Sequence, residues 1–429
     1  MNEAAIGHEM YSWACELFPI QRSITGVGVR ETLKFLKKKI PKLRINEIPS
    51  GSKIFDWTVP DEWNLKDAYI QDIDTGEKII NIKDSNLHVL GYSTSINETL
   101  PIDIIKQHLY SLSELPNAIP YVTSYYEPRW GFCITEIQKK SLIKPRYKVF
   151  IDSELNSKGS MTYADLIIPG ESKAEILLST YICHPSMANN ELSGPVLLTA
   201  LARYLCKIKS LRYTYRIIFA PETIGSIAYI SKNIKKLKEN VIGGFVITCV
   251  GDDHAYSYLS TKYADTLIDS ISLKILSEEK IKYRLYNFLQ RGSDERQYCF
   301  PNVDLPIASL MRSKYGEYIE YHTSLDNLDF ISAKGFEGSY KLYLKIISAL
   351  EDCRLPIATT ICEPKMSALN LYPTLGLRKH SDETKALMDV MTYCDGTNDI
   401  CMIADYTNLD LGTVQSSLNI LFANKLIQY

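Results

Sequence analysis

The 429-residue sequence predicts an α/β protein: a mixed sheet covered by helices, a small β-rich module inserted near its start, and a winged helix at its end. Three observations carry that prediction. From Tyr147 onward, apolar β-branched runs bounded by turns alternate with segments of helical spacing, and strands apolar on both faces imply helices on both sides of the sheet. Between about Phe55 and Lys144 the chain turns to Tyr, Trp, Ile, Pro and Asn in short alternating runs, a β signal. After Glu351, a proline-containing stretch without periodicity precedes three short helical patterns and an apolar strand start, the order of a winged helix-turn-helix.

Taken in order, MYSWACELF and TLKFLKKKI have helical spacing on either side of the turn GVGVR, and RINEIPS follows as a strand. EKIINI and LHVLGY supply strands of the inserted module. KVFID, ADLIIPG, AEILLSTYI, YRIIFAPE, GGFVITCVG and LPIASLMR are then the strands of the main sheet. Its helices are PVLLTALARYLCKI, SIAYISKNIKKL, ADTLIDSISLKILSEE and AKGFEGSYKLYLKIISAL. CRLPIATTICEPK suits a linker, and SDETKALMDVMTYC, DICMIADYT and GTVQSSLNILFANKLIQ form the winged helix. The expected domains are a core of residues 1–55 and 145–355, an insertion of 56–144, and a winged helix of 370–429.

Composition excludes several classes. With 48 basic and 50 acidic residues, the net charge of -2 gives no electrostatic reason to bind nucleic acid or an anionic membrane. The N-terminus carries acids and lacks the basic start and apolar run of a signal peptide, and no stretch approaches the roughly 18 apolar residues of a membrane span. Ten cysteines without a CxxC pair favour reduced thiols and a cytoplasmic location.

The chemistry gathers where strands end. AEILLSTYICHPSMANNELSG places His184 just past a buried strand, where ligands bind in open α/β sheets. YRIIFAPETIGS does the same with Glu222, GGFVITCVGDDH with Asp252 and Asp253, and YHTSLDNLDFI supplies His322 and Asp326. Two imidazoles and several carboxylates on one sheet edge suit a divalent ion such as zinc, and a carboxylate beside it can take a proton from the attacking water, the role of Glu222. Each residue also has a plainer use: His184 as a packing residue, Glu222 as a cap for the helix after it, and YHTSLDNLDF as a turn and capped helix.

RSITGVGVRETLKFL, CHPSMANNELSG, FAPETIGSIAYI, TCVGDD, GSDERQYC and EYHTSLDNLDFIS span nearly the whole chain. In that order they resemble the zinc aminopeptidases of the leucyl aminopeptidase and glutaminyl cyclase type. They resemble more closely the bacterial aminopeptidase-like proteins that carry a β-rich insertion and a C-terminal winged helix. The resemblance implies His184 and His322 as metal ligands, Glu222 as general base, and a link to surface polysaccharide synthesis. Departures from the pattern accompany it. Asn190 stands where the metal-bridging aspartate is usual, Thr223 where a second glutamate is usual, Ser186 where an aspartate follows the first histidine, and Thr248 where another aspartate ligand is usual. Asp252 is a substitute for that last ligand. One zinc ion, with His184, His322, Asn190 and Asp252 as its candidate ligands, fits better than a pair.

GSDERQYC offers Asp294, Glu295 and Arg296, and an arginine beside a metal can hold a substrate carboxylate or stabilise an oxyanion. Asp294 and Glu295 equally suit the first turn of a helix. Tyr321, next to His322, completes the candidate substrate contacts.

From Gly376 onward, Arg378, Lys379, Lys385 and Lys425 face seven acids, Asp382, Glu383, Asp389, Asp395, Asp399, Asp405 and Asp410. Phosphate attraction is weak, which favours a packing or partner-binding role over DNA binding. The function expected is hydrolysis of an amide bond in a small peptide or acylated substrate. The competing expectations are a binding or scaffold protein with a degenerate site and a transcription regulator with an enzyme-like sensor domain. A homo-oligomer is left open.

Overall fold

The computed structural model describes residues 3–369, 371 and 382–429. They form two compact units, one of residues up to 268 plus 282–341, the other of 269–281 plus 342–429.

In the first unit, helices α1 (Glu3–Leu17) and α2 (Val27–Lys39) lead into an eight-stranded mixed sheet. Its strands are β1 (Arg44–Pro49), β2 (Ser160–Ile168), β3 (Glu175–Tyr181), β4 (Thr214–Ala220), β5 (Val241–Val246), β6 (Ser257–Leu259), β7 (Arg284–Tyr286) and β8 (Ile307–Met311). They lie in the order β1-β2-β4-β3-β5-β8-β6-β7. The centre, β4-β3-β5-β8, is parallel, and β1, β2 and β6 join antiparallel. β3 and β4 are buried at every position, which explains why they read as unbroken apolar runs. Helices α3 (Ser193–Leu205) and α4 (Ile224–Asn240) follow β3 and β4 directly, so the loops joining them collect at one edge of the sheet. Gly194 opens α3 because a Cβ there would sit 2.3 Å from both Ile247 O and Thr180 Oγ1.

The inserted module is built on four antiparallel strands in the order Lys78–Asn81, Glu62–Gln71, Arg146–Asn156, Ile96–Pro101. This corrects one expectation: KVFID, assigned to the main sheet, pairs inside the inserted one. Alternating burial along Arg146–Asn156 marks a strand with one covered face rather than a central parallel strand. Trp63 anchors the module, stacked on Tyr92 and donating from Nε1 to Ser93 O over 2.9 Å.

In the second unit, α5 (Asp382–Thr392), α6 (Ile400–Thr407) and α7 (Leu411–Ala423) are the winged-helix helices. Asp399 caps α6 by accepting from Cys401 N and Met402 N, and Asp410 caps α7 by accepting from Thr413 N. Ile357–Ala358 pairs antiparallel with Ile427–Gln428, so the segment expected as linker supplies a strand to this unit instead. The expected boundary at 370 and the residues Gly376, Arg378 and Lys379 lie outside the described residues.

Candidate active site

Three loops at the carboxyl edge of the parallel strands carry the site. After β3, the chain passes through Ser186 and Met187, both at φ 50°, into a π-helical turn, Ala188–Leu192, that buries ANNEL completely. Such turns concentrate at functional sites. The turn carries Glu191 back to His184, whose Nδ1 donates to Glu191 Oε2 over 2.8 Å. A carboxylate can only accept, so this contact fixes a proton on Nδ1 and turns Nε2 toward the cavity, 3.6 Å from Glu222 Oε2.

Glu191 is held in turn by Arg22. The Arg22 guanidinium donates from Nε to His184 O (2.9 Å) and from Nη1 to Leu17 O (2.7 Å), and its Nε lies 3.7 Å from Glu191 Oε1. Burial pushes the Arg22 pKa down to about 10 against the attraction of Glu191, which still leaves it charged near neutrality. For His184, burial opposes the charge, but Cys183 and Glu191 together hold its pKa well above the usual value. The Cys183 thiol is itself pushed by burial up to about 11 and is neutral at pH 7, so Glu191 is the charge that matters. Cys183, His184 and Glu191 also bring their ligand atoms within 4.8 Å of one another.

Glu222 stands on a strained turn. Ile224 N donates to Glu222 O (2.8 Å) around Thr223 at φ 62°, ψ -77°, a γ-turn of the rare hand, which costs a β-branched residue on the order of 1–3 kcal/mol. Asp294 holds that turn, accepting from Thr223 N (2.7 Å) and Ser226 Oγ (2.9 Å). Burial and the neighbouring Glu222 raise the Asp294 pKa to about 7. Burial likewise raises the Glu222 carboxyl, opposed by His184, by the Ser293 hydroxyl that donates to it over 2.9 Å, and by Arg296. Glu222 keeps 22% of its side chain accessible.

The third loop presents His322 at φ 56°. Its ring centroid lies 5.5 Å from that of His184, and burial next to His184 pushes its pKa down to about 3, so it is the neutral, ligating form. The inserted module grips this loop: Tyr121 N donates to His322 O (2.8 Å), and Ser324 and Ile119 exchange two hydrogen bonds. The Tyr121 ring therefore lies against both imidazoles, at 5.0 Å from His184 and 5.2 Å from His322.

Together these loops line a cavity of about 370 Å³. His184, Glu222, Arg296 and His322 line it, with Trp57, Tyr121, Tyr125 and Tyr126 contributed by the inserted module. The other sequence candidates lie outside its lining. Asp252 is not placed as a ligand, because Asn189 Nδ2 (2.9 Å), Ser313 N (2.9 Å), Ser313 Oγ (2.8 Å) and His254 N (3.0 Å) already fill its carboxylate. Asn190 Oδ1 accepts from the Tyr181 hydroxyl (2.8 Å), and the one Thr248 hydroxyl proton goes either to the Tyr181 oxygen or to Asn190 O (3.0 Å). Positions where the resemblance implies metal ligands thus satisfy one another as neutral groups. The buried Asn190 Nδ2 has no partner among the described residues.

Two of the expected substrate contacts also turn inward. Asp294 secures the Glu222 turn, and Glu295 accepts from Gly292 N (2.9 Å), Ser293 N (3.1 Å) and the Tyr315 hydroxyl. Both are helix-end carboxylates satisfying backbone donors, the plainer of their two expected uses. Tyr321 stacks on His322 at 3.9 Å rather than lining the cavity. Asp326 buttresses the π-turn, accepting from Asn189 N (2.6 Å), Asn190 N (2.9 Å) and Tyr318 (3.0 Å). Sequence reasoning missed Arg22, Glu191 and Tyr121. Glu191 lies in the same polar loop as His184, but nothing in the loop shows which way it points.

Comparison with known proteins agrees with this architecture. A family described as a domain of unknown function, DUF4910, matches residues 11–353, and a winged helix-turn-helix family matches residues 354–429. A Clostridium acetobutylicum protein is 43% identical over 429 residues, covering 100% of this chain and 98% of its own. Its provisional name is polysaccharide biosynthesis protein with aminopeptidase-like domain. A crystal structure from the same organism, provisionally called a peptidase, superposes with a TM-score of 0.92 at 42% identity, covering 100% of this chain and 97% of that one. A zinc aminopeptidase from Bacillus subtilis shares the fold at a TM-score of 0.59 and 13% identity, over 80% of this chain and 94% of that one. The chain belongs to the DUF4910 family and joins that family's aminopeptidase-like fold to a C-terminal winged helix.

Proposed function

We propose that this protein hydrolyses an amide bond of a small acylated or peptide-like substrate in the cavity beneath the inserted module, with Glu222 as general base. The observation that carries the reading is the orientation of His184. Its Nδ1 is committed to Glu191, and its Nε2 faces Glu222 at 3.6 Å beside the His322 ring. A histidine that donates its second nitrogen to a carboxylate is the usual arrangement of a metal ligand. His184 and His322 would hold one zinc ion, and Asn190, Thr223 and Thr248 lack the carboxylates that a second ion would need. Such an ion supplies Lewis-acid polarisation of the scissile carbonyl.

The chain's own groups account for the rest. The strained turn at Thr223, secured by Asp294, holds the Glu222 carboxylate at the cavity wall. There it takes a proton from the attacking water, water oxygen bonds to the acyl carbon, the C–N bond breaks, and the proton passes to the departing nitrogen. The Tyr121 and Tyr125 rings limit the access of bulk water. A second reading, a protein that binds the same ligand without turnover, is favoured by the neutral cluster of Asn190, Tyr181 and Thr248.

The winged helix is proposed as a packing or protein-binding element. α7 carries no basic residue between Leu411 and Ala423, and a DNA affinity that falls steeply with salt would overturn this.

Elemental analysis of wild type, His184→Ala and His322→Ala tests the enzyme reading. The expected result is close to one zinc per chain, absent in both variants, with amide hydrolysis lost in Glu222→Gln while zinc is retained. A wild type that takes up no zinc when it is supplied leaves the binding reading in its place.

A further inference from the structure

Charge on the cavity wall is uneven. Among the described residues lining it, Glu222 is the only carboxylate and Arg296 the only guanidinium or ammonium. Arg296 is exposed, donates from Nη2 to Thr223 Oγ1 over 2.9 Å, and makes no ion pair with any described residue. A guanidinium carries five N–H donors in a planar fork, so most of that fork is left for a ligand, and a carboxylate is the partner it matches. The other acids around Glu222, Asp294 and Glu295, lie outside the lining and accept from groups of the protein, and the acids of the neighbouring cavity of about 320 Å³ that meets the first at Tyr126 are Asp61 and Glu127, the latter 3.9 Å from Arg129.

A substrate with a free amino terminus would bring an ammonium to the reacting end. That ammonium needs an acid to accept it, because an unpaired charge in a closed site is costly. Glu222 cannot hold an ammonium and also take the proton from water. The residues that the inserted module gives to the lining are aromatic: Trp57 and Tyr126 meet edge to face at 6.5 Å, and the Tyr121 and Tyr125 hydroxyls bond each other over 3.1 Å, which leaves ring surface for an apolar acyl group to pack on.

Building on the amide-hydrolase reading, we infer that the substrate is an N-acylated amino compound bearing a carboxylate, not a peptide with a free amino terminus. The acyl group packs on the aromatic wall, the carboxylate pairs with Arg296, and the amide between them faces Glu222. Hydrolysis then adds one water across the C–N bond and yields a free carboxylic acid and a free amino acid.

Three probes built on leucine separate the possibilities: N-acetyl-leucine, which is anionic; N-acetyl-leucinamide, which is neutral and of the same size; and leucinamide, which is cationic and lacks the acetyl group. Their binding to the zinc-loaded protein is measured by calorimetry, for wild type and for Arg296→Gln at its exposed position, with the fold of the variant checked by urea unfolding. The inference expects N-acetyl-leucine to bind at least about tenfold tighter than either other probe, a difference of about 1.4 kcal/mol, and Arg296→Gln to erase that preference. Equal or tighter binding of leucinamide overturns it. So does a preference that survives in Arg296→Gln, or the failure of all three probes to bind. Release of leucine from N-acetyl-leucine is followed separately. Binding preference without leucine release removes the hydrolase reading and leaves the ligand assignment standing.

Discussion

Replacing Glu191 by glutamine removes one charge from a pair whose side chains are both 0% exposed, and it does so without changing shape. At 3.7 Å and an effective dielectric near 20, the attraction between Arg22 and Glu191 is about 4.5 kcal/mol. Arg22 stays charged in the variant and keeps its bonds to His184 O and Leu17 O, so its desolvation is only partly offset. Breaking a buried pair by removing one partner costs about 3–5 kcal/mol, and the two remaining carbonyl bonds place Glu191→Gln near the lower end. Losing the carboxylate behind a ligating histidine also weakens metal binding about 10- to 100-fold. Urea unfolding followed by tryptophan fluorescence is a clean assay, since Trp13, Trp57, Trp63 and Trp130 all lie in the first compact unit. Zinc affinity is measured on the same samples with a competing chelator. The double variant Arg22→Met/Glu191→Gln should be more stable than the sum of its single losses predicts, because no charge is then stranded. A loss below about 1 kcal/mol in Glu191→Gln, or strict additivity in the cycle, would refute the reasoning.

Three further perturbations follow from the site. Burial raises the Asp326 pKa from 3.8 to about 6 despite its three hydrogen-bond donors, so between those values the folded chain binds more protons than the unfolded one. The stabilisation is present below the lower value and is lost as pH rises through the upper one. The stability of wild type relative to Asp326→Asn, measured by urea unfolding across that range, should therefore fall by about 3 kcal/mol, and a flat difference contradicts the assignment. Gly194→Ala forces a methyl group to within 2.3 Å of Ile247 O and Thr180 Oγ1, so it should destabilise the first unit by at least about 3 kcal/mol in the same assay. Asn190→Asp restores one carboxylate but leaves Tyr181 and Thr248 in place, so elemental analysis should find no second zinc, and stability should drop through a buried acid with too few donors.

Much of this was legible in the sequence for a physical reason. β3 and β4 are buried throughout and end abruptly in polar residues, so the apolar runs mark both the strands and the edge where His184 and Glu222 sit. The winged helix was legible from three short amphipathic patterns. KVFID was misplaced because a strand's pattern records how it is buried but not which strand it pairs with. Arg22 and His184 are separated by 162 positions, and Tyr121 reaches His322 from a different module. No local periodicity encodes such contacts. Asp252 and Glu295 looked like functional acids because sequence shows a charge and hides the backbone donors that occupy it.

The buried acids divide by what satisfies them. Asp252 has four donors, Asp326 three, Glu295 three, Asp294 two, and Glu191 has His184 and Arg22. At three positions where the resemblance implies acids that hold metal, the chain carries Asn190, Thr223 and Thr248. Electrostatically these replacements belong together, because any one carboxylate left there without its cation would cost several kcal/mol. The Tyr181 hydroxyl donates to Asn190 Oδ1 and lies against Thr248 Oγ1, so it links the two replacements, while Asn190 Nδ2 keeps no partner among the described residues. Glu222 is the exception: a buried-site acid that keeps part of its surface open to the cavity, with Ser293 alone donating to it among the described residues. The fold turns its other site acids into the protein and leaves this one facing a cavity beside two imidazoles, which is the geometry the proposed single reacting centre rests on.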